Sequence, residues 1–223
     1  MHQTLQNDRL HVAVDLLILT VRQEKLNVLL AKRTEEPCAG CWALPGRLLG
    51  LEESAESCAE SLIKEMLPVK EAYMEQLYTF STVQRDPRGR VISVAYLVIV
   101  PWSRLENLLD QPGMLLHSFV PEEVTGSGEL AFDHEQIIQT GIQRLRGKIG
   151  YTELGFRFLN CREAFSLGEL QNIFEAVSGE TMDTSNFRRF ILGRYEAAGR
   201  IRQTEGAKKQ GRGRPAALYC YLP

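Results

Sequence analysis

Residues 166–222 read SLGELQNIFEAVSGETMDTSNFRRFILGRYEAAGRIRQTEGAKKQGRGRPAALYCYL. The order of signals in this stretch decides the architecture of the C-terminal part of the chain. Ser166 and Glu169 have the S-x-x-E spacing of a capping box, in which side chains and backbone satisfy each other's donors at a helix start. Leu167, Leu170, Ile173, Phe174 and Val177 then recur at helical spacing, and Gly179 stops the helix. Asp183 caps a second helix, with Phe187, Phe190, Ile191 and Ala198 as its inner face and Gly199 as its stop. Ile201–Thr204 and Ala216–Leu222 have the composition of strands, and residues 205–215 between them form a long basic loop. Helix, turn, helix, then a hairpin with a basic loop is the order of a winged helix-turn-helix.

A recognition helix turns its rear face to its own core and its front into the major groove. With Phe187, Phe190 and Ile191 inward, Ser185 and Arg189 face outward and Asn186 and Arg188 flank them. All four are hydrogen-bonding types, and arginine is the usual partner of guanine edges. Lys208, Lys209, Arg212 and Arg214, on the glycine-hinged loop, suit phosphate or minor-groove contact. Charge placement agrees: residues 186–223 hold nine Lys/Arg against two Asp/Glu, whereas residues 1–150 hold 15 against 20. A basic end on an acidic body points to a polyanion partner for that end.

Upstream, the sequence predicts strands over His11–Arg22 and Leu26–Arg33, with Gln23-Glu24-Lys25 as the turn. A loop over residues 34–51 leads to a helix capped by Ser54 and ended by Pro68. Strands follow over Gln76–Gln84 and Val91–Val100, then a short helix over Ser103–Leu109 and a longer one over Asp133–Gly147. This is a mixed α+β domain, and the change in charge balance near Gly150 divides the chain into residues 1–150 and 151–223.

The 223 residues, 44% hydrophobic and 24% charged, are ordinary for a folded protein. The longest apolar run, Val12–Val21, is too short for a membrane span and is interrupted by Asp15. The first residues lack the basic and apolar regions of a signal peptide, so a cytoplasmic location without membrane partners is expected. Five cysteines, an odd number, do not make a disulfide framework. Cys38-x-x-Cys41 has no second pair and no histidine at ligand spacing, which leaves loop thiols and no metal. His134, alone at a helix start, is expected to cap the helix or meet an interface.

Trp42-Ala43-Leu44-Pro45-Gly46, then Glu52-Glu53-Ser54 and a helix, resembles the Nudix family, whose pattern is G-x5-E-x7-R-E-U-x-E-E-x-G-U with U a bulky aliphatic. In that family the loop and helix hold divalent metal and cleave a nucleoside diphosphate linked to another moiety. With Glu53 as the first glutamate, Arg47 stands in place of glycine, Ser61 in place of arginine and Leu62 in place of the first helix glutamate. Glu65 is kept, Met66 replaces the last glutamate and Pro68 the last glycine. A shifted register keeps Gly46, Glu52 and Glu65 but loses the other two helix carboxylates to Ser61 and Lys64. The chemistry needs carboxylates at i, i+3 and i+4 on one helix face to hold Mg²⁺ against phosphates. One carboxylate between Leu62 and Met66 is a poor site for a hard cation, so no catalytic residue is assigned.

The two halves together resemble the Nudix-related transcriptional regulators of the NrtR family, a Nudix-like mixed-sheet sandwich domain followed by a winged helix-turn-helix domain. Phe132-Asp133-His134, Leu145-Arg146-Gly147-Lys148 and Tyr151-Thr152 resemble that family's linker helix. Asn186-Phe187-Arg188-Arg189 and Gly213-Arg214-Pro215-Ala216 resemble its recognition helix and wing. The resemblance implies a homodimer that binds a palindromic DNA operator and controls metabolic genes, of NAD synthesis or of sugar use. ADP-ribose is the first candidate effector, a sugar or sugar phosphate the second, and no cofactor is expected. The effector is expected in the old Nudix cleft, at Arg33, Trp42, Arg47, Glu53 and Glu65. The competing reading is a hydrolase of ADP-ribose or a related nucleoside diphosphate with an accessory basic domain. A third is an RNA-binding protein on an inactive Nudix fold.

Overall fold

One long strand, His11–Arg22, runs through the middle of the larger sheet. The computed structural model describes residues 10–67, 72–109, 116–208 and 216–222. In chain order the first part contains β1 (His11–Arg22), β2 (Lys25–Lys32), β3 (Trp42–Ala43), β4 (Gly46–Leu48), α1 (Ala55–Met66), β5 (Tyr73–Phe80), β6 (Val91–Ile99), α2 (Glu106–Leu109), β7 (Leu116–Phe119), α3 (Pro121–Val124) and α4 (His134–Ile149). The second part contains α5 (Leu154–Arg157), β8 (Phe165–Ser166), α6 (Leu167–Ser178), α7 (Thr184–Ile191), β9 (Ile201–Lys208) and β10 (Ala216–Tyr221).

β1 is buried on both faces, which explains its near-continuous apolar sequence. Alternate side chains go to opposite sides. Val14, Leu16 and Ile18 pack with Cys58, Ala59, Leu62 and Ile63 of α1. Leu17 and Leu19 pack with Ile137, Ile138 and Ile142 of α4 and belong to the same cluster as Leu170, Ile173 and Phe174 of α6. α4 lies so close to β1 that a Cβ at Gly141 would stand 2.0 Å from a Leu17 methyl. The sheet runs β3-β2-β1-β6-β5, with β4 on β1 and β7 on β2. β1 and β6 are parallel, and the other pairs are antiparallel, so the sheet is mixed.

The β1–β2 turn is tighter than expected. Arg22 pairs with Lys25, leaving only Gln23 and Glu24 as the loop, both at positive φ. That is the two-residue hairpin whose twist suits antiparallel strands. β5 begins three residues before the predicted start, because Tyr73–Gln76 pair with Ile99–Tyr96. Ser54 caps α1 as expected, but the reciprocal bond comes from Ser57. Pro68, expected to end α1, lies outside the described residues; the last turn closes from Leu67 N–H to the Ile63 carbonyl.

In the second part, the capping box of Ser166 and Glu169 forms, and Gly179 closes α6 in the left-handed region at φ 77°. Asp183 caps α7 by accepting from the Asn186 N–H. Two inner-face assignments change. α7 passes at Leu192–Glu196 into a π-type turn, which widens the spacing. Tyr195 therefore fills the core position, Ala198 is exposed, and Phe190 sits at the margin with 37% exposure. The wing strands form a three-stranded sheet, β8-β10-β9. β9 runs to Lys208, which pairs with Ala216, so Lys208 belongs to a strand and not to the loop. Lys209, Arg212 and Arg214 lie outside the described residues. Among the described residues no helix is long and apolar enough to cross a membrane.

Candidate functional site

β4 places two consecutive residues on the edge of β1: Gly46 opposite Asp15 and Arg47 opposite Val14. A Cβ at Gly46 would lie 2.3 Å from the Asp15 carboxylate and 2.6 Å from the Val14 carbonyl, so only glycine lets β4 close on β1. The strands border a cleft of ≈ 140 Å³ whose lining includes Asp15, Arg33, Arg47, Arg85, Asp86, Arg88, Phe132 and His134. A second cavity of ≈ 230 Å³ shares Arg33, Leu44 and Gly46 with it and extends past Lys32, Thr34 and Met66.

Most charges in the cleft are spoken for. Arg85, 7% exposed, makes two bonds to Asp133 at 2.6 and 2.8 Å and lies 3.6 Å from Asp15. Asp15 also accepts from Ser93 at 2.5 Å. Arg88 forks onto Asp86, and that hydrogen bonding holds the Asp86 carboxyl below its usual range. Arg47 forks onto Glu53, with Nη1 at 2.5 Å and Nη2 at 2.8 Å, and the Gly50 N–H adds a third bond at 2.7 Å. The Arg47 bond, then the Gly50 bond, pulls the Glu53 carboxyl down to about 2. Arg33 differs. It donates to the carbonyls of Pro37 and Glu35, its guanidinium stacks 4.9 Å from the Phe132 ring, and no carboxylate partner stands beside it among the described residues.

His134 is neither a cap nor an interface residue. It is buried at the start of α4, and its Nδ1 accepts the Leu44 N–H at 2.9 Å. Nε2 therefore carries the proton and faces Asp15 at 3.8 Å. Burial, the largest influence, pushes its pKa down and keeps the ring neutral. His134 is thus a strut under the Trp-x-Leu-Pro-Gly loop.

The structure divides the other residues singled out in the sequence. Arg33 and Arg47 line the cleft, and Glu53 reaches it through Arg47. Trp42 does not line it: its ring packs on His117 and Phe119, under Lys32. Glu65 is exposed on α1, and Leu62 is buried in the core. A Nudix metal would need Glu53, which Arg47 already holds, together with carboxylates where Leu62 and Met66 stand. Among the described residues no group of three His, Cys, Asp or Glu side chains is placed to hold a metal. The donor set does not fit the ion.

Arg85, Asp86, Arg88 and Asp15 were not predicted as cleft residues. Two signals were present. Asp15 interrupts an apolar run, and a charge in a doubly buried strand needs a partner. Residues 85–90 carry three arginines and an aspartate, more charge than a turn between strands requires.

Below the cleft, α4 leads to the second part of the chain. Its start is held by the Asp133–Arg85 pair, and near its end Lys148 bonds Glu75 while Arg146 bonds the Val177 carbonyl of α6. The connection after α4 is clamped from the other side. Tyr195 donates to the Thr152 carbonyl at 2.7 Å and Arg194 to the Tyr151 carbonyl at 2.7 Å. Glu153 accepts from Arg200 and Tyr221. On α7, Ser185, Asn186, Arg188 and Arg189 are all exposed while Phe187 and Ile191 are buried. Arg189 donates to the Asn186 side chain, and neither arginine has an ion pair among the described residues.

Residues 155–221 match the family described as the NrtR DNA-binding winged helix domain. The chain is 32% identical over 213 residues to the ADPR responsive transcriptional repressor NtrR of Acinetobacter baylyi, covering 94% of this chain and 81% of that one. It is 35% identical over 129 residues to an ADP-ribose pyrophosphatase of Methanocaldococcus jannaschii, covering 57% of this chain and 70% of that one. Shewanella oneidensis NrtR, solved with a 27mer DNA, superposes with a TM-score of 0.82 at 31% identity, over 95% of this chain and 93% of that one. The NUDIX domain of the same protein, solved with ADP ribose, matches with a TM-score of 0.50 at 29% identity, over 60% of this chain and 87% of that one.

Proposed function

The chain belongs to the NrtR family of Nudix-related transcriptional regulators, and from that premise we propose that ADP-ribose, bound in the cleft, sets its grip on DNA. The observation that carries this reading is the cleft's arginine set: Arg33, with no carboxylate partner among the described residues, and Arg47, in a cleft that His134 at the start of α4 also lines. Small-molecule sites usually measure about 300–1,000 Å³. Neither cavity reaches that size alone, but the two share three residues and suit a ligand of two parts joined by an anionic bridge. A sugar phosphate, the second candidate, would fill only one of them.

Residues 1–150 are the sensing domain and residues 151–223 the DNA-binding domain in this reading. Its support is that α5, α6, α7 and the three-stranded sheet all follow Gly150. Two copies read a palindromic duplex through Ser185, Asn186, Arg188 and Arg189 of α7 in the groove. Lys208, Lys209, Arg212 and Arg214 reach the phosphates or the minor groove. The regulated genes serve NAD or sugar metabolism.

Because a regulator needs a ligand that prefers one of two states, the test is operator binding by fluorescence anisotropy with and without ADP-ribose. A change in operator affinity of about 5–150-fold is expected. ADP-ribose that binds by calorimetry yet leaves operator affinity unchanged sinks the reading. A second reading, hydrolysis of ADP-ribose, has the likeness to the archaeal pyrophosphatase in its favour. Metal-dependent release of AMP, lost in Glu65→Gln, would establish it; we expect none, because Leu62 and Met66 stand where metal ligands are needed.

A further inference from the structure

We propose that the Arg47 guanidinium, anchored on Glu53, is the resident cation of the cleft, standing in for the divalent metal so that an anionic effector binds without one. The inference rests on the reading of the cleft as the effector site and adds how that site balances charge.

In the register with Glu53 as the first glutamate of the Nudix pattern, Arg47 occupies the place of its opening glycine. β4 fixes the Arg47 backbone opposite Val14 of β1, and the side chain meets Glu53 in the loop before α1. The pair is a two-bond fork, the geometry that makes arginine–carboxylate contacts both strong and directional. One Glu53 oxygen accepts from Arg47 and Gly50, and the other accepts from Arg47. An incoming metal would have to displace a cation already in place.

The fork leaves the guanidinium free to act. Of its five N–H groups, one bonds the Leu48 carbonyl and two bond Glu53. No described residue takes the Nε–H or the remaining Nη2–H, and Arg47 lines the cleft with its side chain 36% exposed. Arg85 is buried between Asp133 and Asp15, so the cleft arginines with N–H groups left for phosphate oxygens are Arg33, Arg47 and Arg88, and of these Arg47 alone stands in the loop that carries the Nudix pattern.

The substitution also separates binding from cleavage. A bound divalent ion draws phosphates in, and it also activates water and polarises the phosphorus–oxygen bond. A guanidinium supplies charge and oriented donors, but it has no coordination position for water and stays protonated. One residue therefore retains the anion and withholds the hydrolytic chemistry.

Calorimetry of the full chain with ADP-ribose, in EDTA and in millimolar Mg²⁺, tests this directly. The affinity is expected to agree within about twofold in the two conditions. Arg47→Ala should weaken binding about 10–100-fold in EDTA, the loss of a charge-assisted contact beside an unmasked carboxylate. Arg47→Lys, which keeps the charge and loses the fork, should fall between. Wild-type binding that tightens about tenfold or more with Mg²⁺ overturns the proposal, and so does undiminished binding by a folded Arg47→Ala. Inorganic pyrophosphate is the second probe, read by thermal shift in EDTA. If pyrophosphate protects the wild type but not Arg47→Ala while ADP-ribose does not bind, the effector is wrong and the role of Arg47 stands. If neither ligand binds in EDTA, both fail.

Discussion

Arginine does opposite work in the cleft and on α7. In the cleft, Arg47, Arg85 and Arg88 each fork onto a carboxylate, so their positions are fixed before any ligand arrives. On α7, Arg188 and Arg189 stand in solvent without ion pairs among the described residues. Under the proposed function the difference follows from the target. A small anion in a confined site is held best by groups whose own geometry is already set. A base edge in the major groove is met by exposed side chains on a rigid helix, and the helix supplies the positioning. One residue type thus serves as scaffold or as probe according to what surrounds it.

The contrast can be broken most severely at Arg85. Replacing it by alanine would take from Asp15 and Asp133 the cation that both meet in a largely buried setting. Such losses cost about 3–5 kcal/mol, and urea unfolding should show it. A cost below about 1 kcal/mol, the range of exposed pairs, would mean that this arginine is not structural. Arg189→Ala should do the reverse. Stability should stay within about 0.5 kcal/mol of the wild type, while operator affinity falls by about 1–3 kcal/mol with relaxed discrimination at one base. Equal weakening on every sequence would instead make Arg189 a phosphate contact.

A third effect is read by pH. His134 is buried neutral, with its pKa pushed below the ordinary 6.5. The unfolded chain therefore binds a proton that the folded chain refuses, and stability falls as pH drops below about 6.5 toward the lowered native value. The slope for one such group is at most about 1.4 kcal/mol per pH unit. Thermal melts between neutral and mildly acidic pH, compared with His134→Gln, should show the slope flatten in the variant; an unchanged slope would place the titration elsewhere. The smallest effect is expected at the clamp between the two parts of the chain. Tyr195→Phe removes the bond to the Thr152 carbonyl, a loss of about 0.5–1.5 kcal/mol. Melting temperature and the ADP-ribose response of DNA binding should both be measured, since a clamp that only stabilises would shift the first alone.

Legibility differed between the same two regions. The helix-turn-helix was readable because each signal is local. Ser166 and Glu169 are one helical turn apart, Asp183 precedes the helix it caps, and the apolar stripes lie within single helices. Even there, the π-type turn after Ile191 moved the inner face from Ala198 to Tyr195, since the sequence carries no mark of the extra residue in that turn. The cleft was harder to see. Arg85 meets Asp133 across 48 residues and Asp15 meets Ser93 across 78, and no spacing rule links residues so far apart.

Amino-acid order alone fixed the mixed-sheet part followed by a winged helix, the exposed basic face of α7, and the replacement of Nudix metal ligands by Leu62 and Met66. These follow from local periodicity, capping and the identity of side chains within a few residues of one another. That Arg47 turns to Glu53, that His134 holds up the Leu44 loop, and that Trp42 packs away from the cleft emerged only with the folded chain. A side chain's role depends on which groups compete for it, and those competitors arrive from distant strands and loops when the chain folds.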